Sequence, residues 1–519
     1  MHARVMDERW RDRDKLTCTR KYRIARRIED GVSAGLTRQN AYYLCGRLLG
    51  ALISLLSLAV FTRLLTPTDY GRYSVIVAIA GLLAGVLFQW LRQCLVQFGG
   101  DVRVRAKLLA SIGLLFWMAI ATTVVLALAA ICAVAFGAKT PAISKTDIVV
   151  VFAFGMAQSW FEFSADAVRL DSQPFKYGVF NVLRVALSLV LGAAAALITK
   201  NLVITVLGIA LGYAIAGYVA APRWLRGLFS IHLASWQQIK VLCGYGLPLS
   251  LTLGMAFILD SVDRLMLAAM RDTATVGVYS SAYNLSQFSI GTILSGLGLA
   301  ILPLAAAAFH RDEFAMTKRL IERNVVILIS VGLPSVIGLC FEAPALGRLM
   351  LGNYQHGQSD SVIVIISIAS GFAGLRAYGY DLIFMVHKST KSQAVILAIS
   401  AMINIALNMV LIPTAGAEGA AWATLLAFLF AFLSSVVVGR RIVKLDVAMS
   451  SIVKVFVATF LMAVVLYCVP AKASSISLIV SIVAGAITYG ATLLLLNPGA
   501  FRSLIGMLSS SGMFGAYRD

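Results

Sequence analysis

The sequence predicts an all-α fold: a polytopic transmembrane helix bundle of about fourteen spans, with two six-helix lobes around a central cavity and two further C-terminal helices. Three observations carry this expectation. Of 519 residues, 60% are hydrophobic and 13% charged, whereas a soluble domain carries about 25% charged residues. The apolar residues fall in runs long enough to cross a bilayer as helices. The connections between runs are short throughout, leaving no stretch for a folded domain outside the membrane.

Residues 1–41 hold eleven basic and six acidic side chains, which predicts a basic cytoplasmic tail lying against anionic headgroups. They are polar, and the first apolar run is too long for a cleavable leader, so that run reads as a signal anchor. Spans are expected near 42–62, 74–97, 108–136, 148–168, 178–199 and 202–222, forming a first lobe over 42–222. A basic cytoplasmic linker at 223–240 leads to a second lobe over 241–438, with spans near 241–270, 278–308, 324–343, 361–386, 393–413 and 418–438. Extra helices near 448–470 and 474–496 follow, then a cytoplasmic tail over 497–519.

The first connection reads Thr-Arg-Leu-Leu-Thr-Pro-Thr-Asp-Tyr-Gly-Arg-Tyr from Thr62 to Tyr73. Pro67 and Gly71 are poor helix-interior residues, so a tight polar turn at a membrane surface is expected there. Arg271 to Tyr279 is built similarly, and the two stretches share Gly-X-Tyr at Gly71/Tyr73 and Gly277/Tyr279. Both copies follow the first helix of a six-helix block. Pro248, Pro303 and Pro334 fall inside spans, as moving hinges or as static kinks. Gly46-X-X-X-Gly50 and Gly81-X-X-X-Gly85 permit close helix packing.

The net charge of +20 is unevenly distributed. Thirty lysines and arginines fall in alternate connections and tails on one face, eight on the other. The positive-inside rule accounts for this, places both termini in the cytoplasm and leaves no need for a nucleic-acid partner. Seven cysteines, mostly inside apolar runs, do not form a disulfide framework; they read as small packing residues.

Ionisable side chains at bilayer depth are costly, so they face a bundle interior or a wet cavity and are functional candidates by default. The basic set is Arg47, Arg92, Arg184, Arg264, Arg376 and Lys454, the last near enough to a span end to snorkel. The acidic set is Glu162, Asp166, Asp260, Asp263 and Asp381. Helical spacing gathers polar residues into stripes in both halves: Gln89, Arg92, Gln93 and Gln97; Gln158, Glu162, Asp166 and Arg169; Asn181, Arg184 and Ser188. The second half offers Asp260, Asp263 and Arg264; Ser280, Asn284 and Gln287; Arg376, Tyr380 and Asp381; and Ser400, Asn404 and Asn408. A central hydrophilic cavity needs such stripes on both sides. Asp260 at i−4 and Asp263 beside Arg264 suggest an internal ion pair.

Asn408, the Leu411-Ile-Pro413 stop, and Gly416 and Gly419 opening a small-residue helix mark a very short hairpin. This hairpin, Arg63–Tyr73 and Gly277-Val-Tyr-Ser-Ser-Ala-Tyr283 together resemble Wzx-type polysaccharide flippases, a branch of the multidrug/oligosaccharidyl-lipid/polysaccharide exporter superfamily. The resemblance covers about residues 42–440. It implies a two-lobed core of twelve helices, here with two extra. It also implies transfer of an undecaprenyl-diphosphate-linked oligosaccharide to the outer leaflet of the bacterial inner membrane, for surface or secreted polysaccharide.

Guanidinium groups give bidentate, charge-assisted hydrogen bonds to phosphate oxygens, which makes Arg92, Arg184 and Arg376 the leading candidates for a diphosphate. They are joined in the cavity set by Arg47, Asn284, Asn404 and Asn408. The alternative is that each arginine pairs with a carboxylate of another helix and holds the bundle together. All five histidines lie outside the spans, so a proton would use a buried carboxylate. Sodium would use the same oxygens with Asn and Ser groups, so Glu162, Asp166, Asp260, Asp263 and Asp381 are the coupling-ion candidates. A polysaccharide polymerase or co-polymerase is the expected protein partner. No cofactor, metal-ligand cluster, nucleophile motif or Walker motif supports an enzyme or direct ATP use. Three rivals remain: a lipid II flippase and a cation-coupled multidrug exporter of the same superfamily, and a membrane scaffold recruiting polymerase.

Overall fold

The computed structural model describes residues 46–99, 105–135, 144–171, 173–298, 301–352, 358–387, 389–469 and 475–496. The two expected tails, with Cys18 and Cys45, lie outside the described residues. The described cysteines are free.

Apolar length and N-terminal caps determine where the helices run. The first half contains α1 (Gly46–Leu64), α2 (Pro67–Leu87), α3 (Gln89–Phe98), α4 (Arg105–Ala135), α5 (Lys145–Leu170), α6 (Pro174–Thr199) and α7 (Leu202–Ala220). α3 continues the rod of α2 after an offset at Phe88. Ser144 and Asp147 form a capping box at the start of α5, and Asn201 caps α7. Short 3₁₀ turns at Arg223–Phe229 and Ile231–Leu233 occupy the basic linker.

The second half opens with α8 (Trp236–Met270), a 35-residue rod. α9 (Thr273–Ser286), a π-helical turn over Gln287–Gly291, α10 (Thr292–Gly298) and α11 (Ile301–His310) follow. Next come α12 (Phe314–Phe341), α13 (Ala343–Leu351), α14 (Gln358–Leu375), a second π turn over Arg376–Tyr380, and α15 (Asp381–Val386). α16 (Thr390–Ile442) is two antiparallel limbs meeting at Gly416, whose φ of 56° and ψ of −125° interrupt the helix. α17 (Met449–Cys468) and α18 (Ser475–Leu496) complete the chain. Eleven described helices are long and apolar enough to span a bilayer, counting α16 once. Dividing α16 at Gly416 and adding the α8 rod and the broken α9–α11 rod gives the expected fourteen.

α5, α6 and α7 pack together with α2, while α14 and α16 pack around α8 and α9. α17 and α18 pair and lean on α12. The outward side of α18 is apolar and bare, with Ile476, Ile487 and Leu495 all more than 60% exposed, as a lipid-facing surface requires.

The stretch expected to be a polar turn at 62–73 is shorter than that: only Leu65 and Thr66 break the helix. Thr66 accepts a hydrogen bond from the Asp69 amide at 3.1 Å, and Pro67 takes the first helical position, where its missing N–H costs nothing. Asp272 caps α9 in the same way, accepting from the Thr275 amide at 2.8 Å. Both Gly-X-Tyr motifs therefore lie inside helices, and the reason glycine is kept there is close approach. A Cβ on Gly71 would sit 1.7 Å from the Thr273 carbonyl oxygen, and one on Gly277 would sit 2.1 Å from that of Pro67. The two motifs cross backbone on backbone, joining the halves.

This end of the bundle, here called the closed face, has further ties. Thr62 Oγ1 donates to the Met350 carbonyl at 2.9 Å, and Arg63 Nη2 to that of Leu349 at 2.6 Å. At the opposite, basic face, the first half of α8 packs on α3 and α4: Gly246 lies over Trp90, and Cys94 Sγ donates to the Leu242 carbonyl at 3.6 Å.

Candidate functional site

Beneath the closed face lies a cavity of about 230 Å³ whose walls come from both halves. Ser57 and Phe61 of α1, Tyr70 and Tyr73 of α2, Arg184 of α6 and Tyr213 of α7 form one side. Arg264 of α8 and Asn284 of α9 close the other. None of the described lining residues is an acid. Two guanidinium groups thus share a space without a counter-charge in its wall.

Aromatic faces hold both arginines. Arg184 Cζ lies 4.8 Å from the Tyr213 ring centroid and 5.2 Å from that of Phe161, and its Nη1 donates to the Tyr213 hydroxyl. Arg264 Cζ lies 4.9 Å from the Tyr283 ring centroid, and its Nη2 donates to Asn284 Oδ1 at 3.2 Å. Asn284 Nδ2 in turn donates to the Tyr70 hydroxyl at 3.3 Å, so one hydrogen-bonded chain crosses between the halves. Stacking stabilises a guanidinium without neutralising it. Nε of each arginine is buried and has no hydrogen-bond partner. The wall thus holds two guanidinium groups without a counter-charge, each keeping one N–H donor unpaired.

The other candidates separate into distinct places. Arg92 is engaged: its Nε donates to Asp166 at 2.8 Å and its Nη1 pairs with Glu162, while Gln158 Nε2 donates to the same Glu162 at 3.0 Å. For this arginine the structure takes the inter-helix alternative. Arg376 lies in the second π turn, 3.7 Å from Asp381, with Nε and Nη1 buried and lacking hydrogen bonds. Asp381 also accepts from Ser435 at 2.9 Å and Gln393 at 3.1 Å. Asp260 is exposed and within electrostatic range of Arg376 and Arg264. Arg47 is exposed at the start of α1.

Among the described residues no salt bridge joins Arg264 to Asp260 or Asp263. The expected internal pair is not formed. Asp263 and Arg264 are consecutive on a helix, so they face different directions; Asp260, four residues before Arg264, shares its face and lies within electrostatic range without forming a salt bridge. Asp263 points instead into the second half, where it is 1% exposed. Asn408 Nδ2 donates to its Oδ1 at 2.6 Å, Tyr279 OH donates to its Oδ2 at 2.7 Å, and Thr424 Oγ1 lies 2.6 Å from that same oxygen. Asn408 also donates to Asn404 Oδ1 at 3.1 Å. Both asparagines therefore belong to this buried oxygen-rich cluster rather than to the arginine cavity. Neutral donors surround the carboxylate, and Asn408 Oδ1 has no partner.

Sequence reasoning missed Arg264 as a cavity residue, along with the tyrosines that hold the two arginines. The Gly-X-Tyr motifs held part of that signal: Tyr73 lines the cavity and Tyr279 binds Asp263.

Residues 36–309 match the family described as Polysaccharide biosynthesis protein. The chain is 26% identical over 263 residues to a probable flippase, AglR, of Haloferax volcanii, a match covering 49% of this chain and 53% of that protein. It is 21% identical over 337 residues to the capsular polysaccharide biosynthesis protein CapF of Staphylococcus aureus, covering 63% and 80%. The chain thus spans about half the length of the first relative and four-fifths of the second. In fold it is similar to the lipid II flippase MurJ in an inward closed conformation, with a TM-score of 0.70 and 13% identity over 89% of this chain and 99% of that one. It is also similar to the Vibrio cholerae MATE transporter VcmN, with a TM-score of 0.54 and 16% identity over 79% and 97%. The family match extends over more than half of the sequence, and the chain belongs to the polysaccharide biosynthesis protein family of polytopic membrane proteins.

Proposed function

We propose that this protein flips an undecaprenyl-diphosphate-linked oligosaccharide across the bacterial inner membrane by alternating access, for surface or secreted polysaccharide. The observation that carries the reading is the acid-free cavity in which Arg184 and Arg264 face each other from opposite halves. Two phosphates leaving water need concentrated positive charge, and guanidinium groups with open N–H donors supply it with directional bonds. At about 230 Å³ the cavity is below the 300–1,000 Å³ of ordinary ligand pockets. It suits the diphosphate, with sugars and lipid lying outside it. Arg376, whose Nε is unpaired while its Nη1 lies 3.7 Å from Asp381, is a second candidate contact toward the basic face.

The crossing glycines support a carrier closed at the face where they meet. The excess of basic residues on the opposite face is the ground for assigning the closed face to the outer side and the tails to the cytoplasm. The Asp263–Asn404–Asn408–Thr424 cluster is the candidate coupling-ion site, for sodium through its oxygens or for a proton on Asp263. The carboxylates paired with Arg92 are weaker candidates because that arginine already neutralises part of their charge. A polymerase or co-polymerase would receive the product.

The test is lipid extraction from cells lacking the protein. Accumulation of oligosaccharide-linked undecaprenyl lipid with loss of surface polysaccharide is expected, reversed by the native chain and not by Arg184→Ala/Arg264→Ala. Accumulation of lipid II, or drug sensitivity with normal polysaccharide, would refute the assignment.

A further inference from the structure

A second cavity, of about 480 Å³, lies outside the arginine site, between α12, the π turn at Gln287–Gly291, α17 and α18. Its lining is mostly apolar, with Leu339, Leu346, Met462 and Leu466 among the walls. Ile482 and Ala486 of α18 line it and are themselves exposed, so the groove opens toward acyl chains. One carboxylate sits in it. Glu342, the residue joining α12 to α13, is 3% exposed. Its Oε1 accepts from Ser481 of α18, while Oε2 is buried without a hydrogen-bond partner.

The groove runs along α12 between two polar ties. Glu342–Ser481 stands at the membrane-surface end, and the Tyr489 hydroxyl donates to the Ser330 carbonyl deeper in. Ser330 and Glu342 are twelve residues apart, about 18 Å at the α-helical rise of 1.5 Å per residue. One leaflet of hydrocarbon is about 15 Å deep. The groove therefore matches an acyl chain in length, with an unsatisfied carboxylate at the depth of a headgroup. A buried acceptor of that kind calls for a cationic hydrogen-bond donor.

We infer that this groove is a binding site for a phospholipid with a primary-amine headgroup, its ammonium on Glu342 and one acyl chain along α12 and α18. This lipid is separate from the transported one, and its site tethers the two C-terminal helices to the second lobe.

The test is native mass spectrometry of the full-length protein with equal amounts of phosphatidylethanolamine and phosphatidylglycerol. The native chain should retain one phosphatidylethanolamine with about tenfold preference, the size of one charge-assisted hydrogen bond. Glu342→Gln should bring the preference close to unity. Ala486→Phe narrows the groove and leaves the Glu342–Ser481 tie in place; it should abolish retention even if the glutamine variant folds poorly. Free ethanolamine at the same concentration should not compete, because it lacks the chain. A native protein without preference, a Glu342→Gln protein that keeps it, unchanged retention in Ala486→Phe, or displacement by free ethanolamine would each overturn the assignment.

Discussion

Replacing Gly71 by alanine puts a methyl group where the two halves touch. The added Cβ would lie 1.7 Å from the Thr273 carbonyl oxygen, 2.7 Å from its carbon and 2.9 Å from the Gly277 nitrogen. Real Cβ atoms essentially never come within 3.0 Å, so the oxygen must recede by about 1.3 Å. All three atoms are backbone, so no rotamer change can absorb the clash. Overpacking of this kind costs about 1–3 kcal/mol, which disfavours the closed-face arrangement by about 5- to 150-fold. Spin labels at Thr68 and Ala415, both exposed on this face, report the separation of the halves. Gly71→Ala should add a longer-distance population and reduce export, and Gly277→Ala should behave alike. Gly50→Ala should change neither, since nothing lies within 4 Å of the position its Cβ would take. An unchanged distance distribution with full export in Gly71→Ala would refute the crossing as the seal.

Arg264→Ala should abolish export at normal protein level, and Arg264→Lys should restore it poorly because lysine cannot bond in a bidentate manner; full export by either variant removes this arginine from the site. Arg92→Ala should instead lower thermal stability, by about 3–5 kcal/mol if Glu162 and Asp166 stay ionised, with much of the loss recovered in Arg92→Ala/Glu162→Gln/Asp166→Asn. Asp263→Asn should fold yet lose any dependence of transport on sodium or pH, checked in vesicles with an imposed gradient. At the basic face Lys318 pairs with Asp446 and holds that carboxyl below the usual carboxylate range. A depressed carboxylate contributes only above its unfolded pKa, about 3.9, and loses its contribution as pH falls through the lower folded value. Asp446→Asn should therefore lower the melting temperature slightly and by the same amount at every pH above 5, and the difference from the native chain should vanish as pH falls below the folded value.

The rods were legible because apolar length alone specifies them. The helix starts at Pro67 and Thr273 were harder, since a helical Gly-X-Tyr is unfavourable locally and is justified only by the opposing backbone. Polar stripes identified the residues facing inward, and Arg184 and Asn284 do line the cavity. The stripes could not tell which arginine meets a carboxylate from another helix. Arg92 does so with two, and Arg264 turns away from its neighbour Asp263 because consecutive helical residues diverge. Gly46-X-X-X-Gly50 shows the same limit: Gly46 lies against the backbone of Gly178, while Gly50 faces open space.

The hairpin at Gly416 has a consequence for synthesis. Arg271 Nε donates to the Ile412 carbonyl at 3.1 Å and Nη2 to that of Pro413, capping the end of the first α16 limb. The capping side chain precedes its acceptors by about 140 residues, and the partners of Asp263 at Asn408 and Thr424 arrive as late. At ribosomal speeds of about 5–20 residues per second, α8 waits roughly 7 to 28 s with a buried carboxylate incompletely bonded. The Asp263 and Arg271 side chains therefore complete these bonds only once the α16 hairpin has been made and has packed against α8.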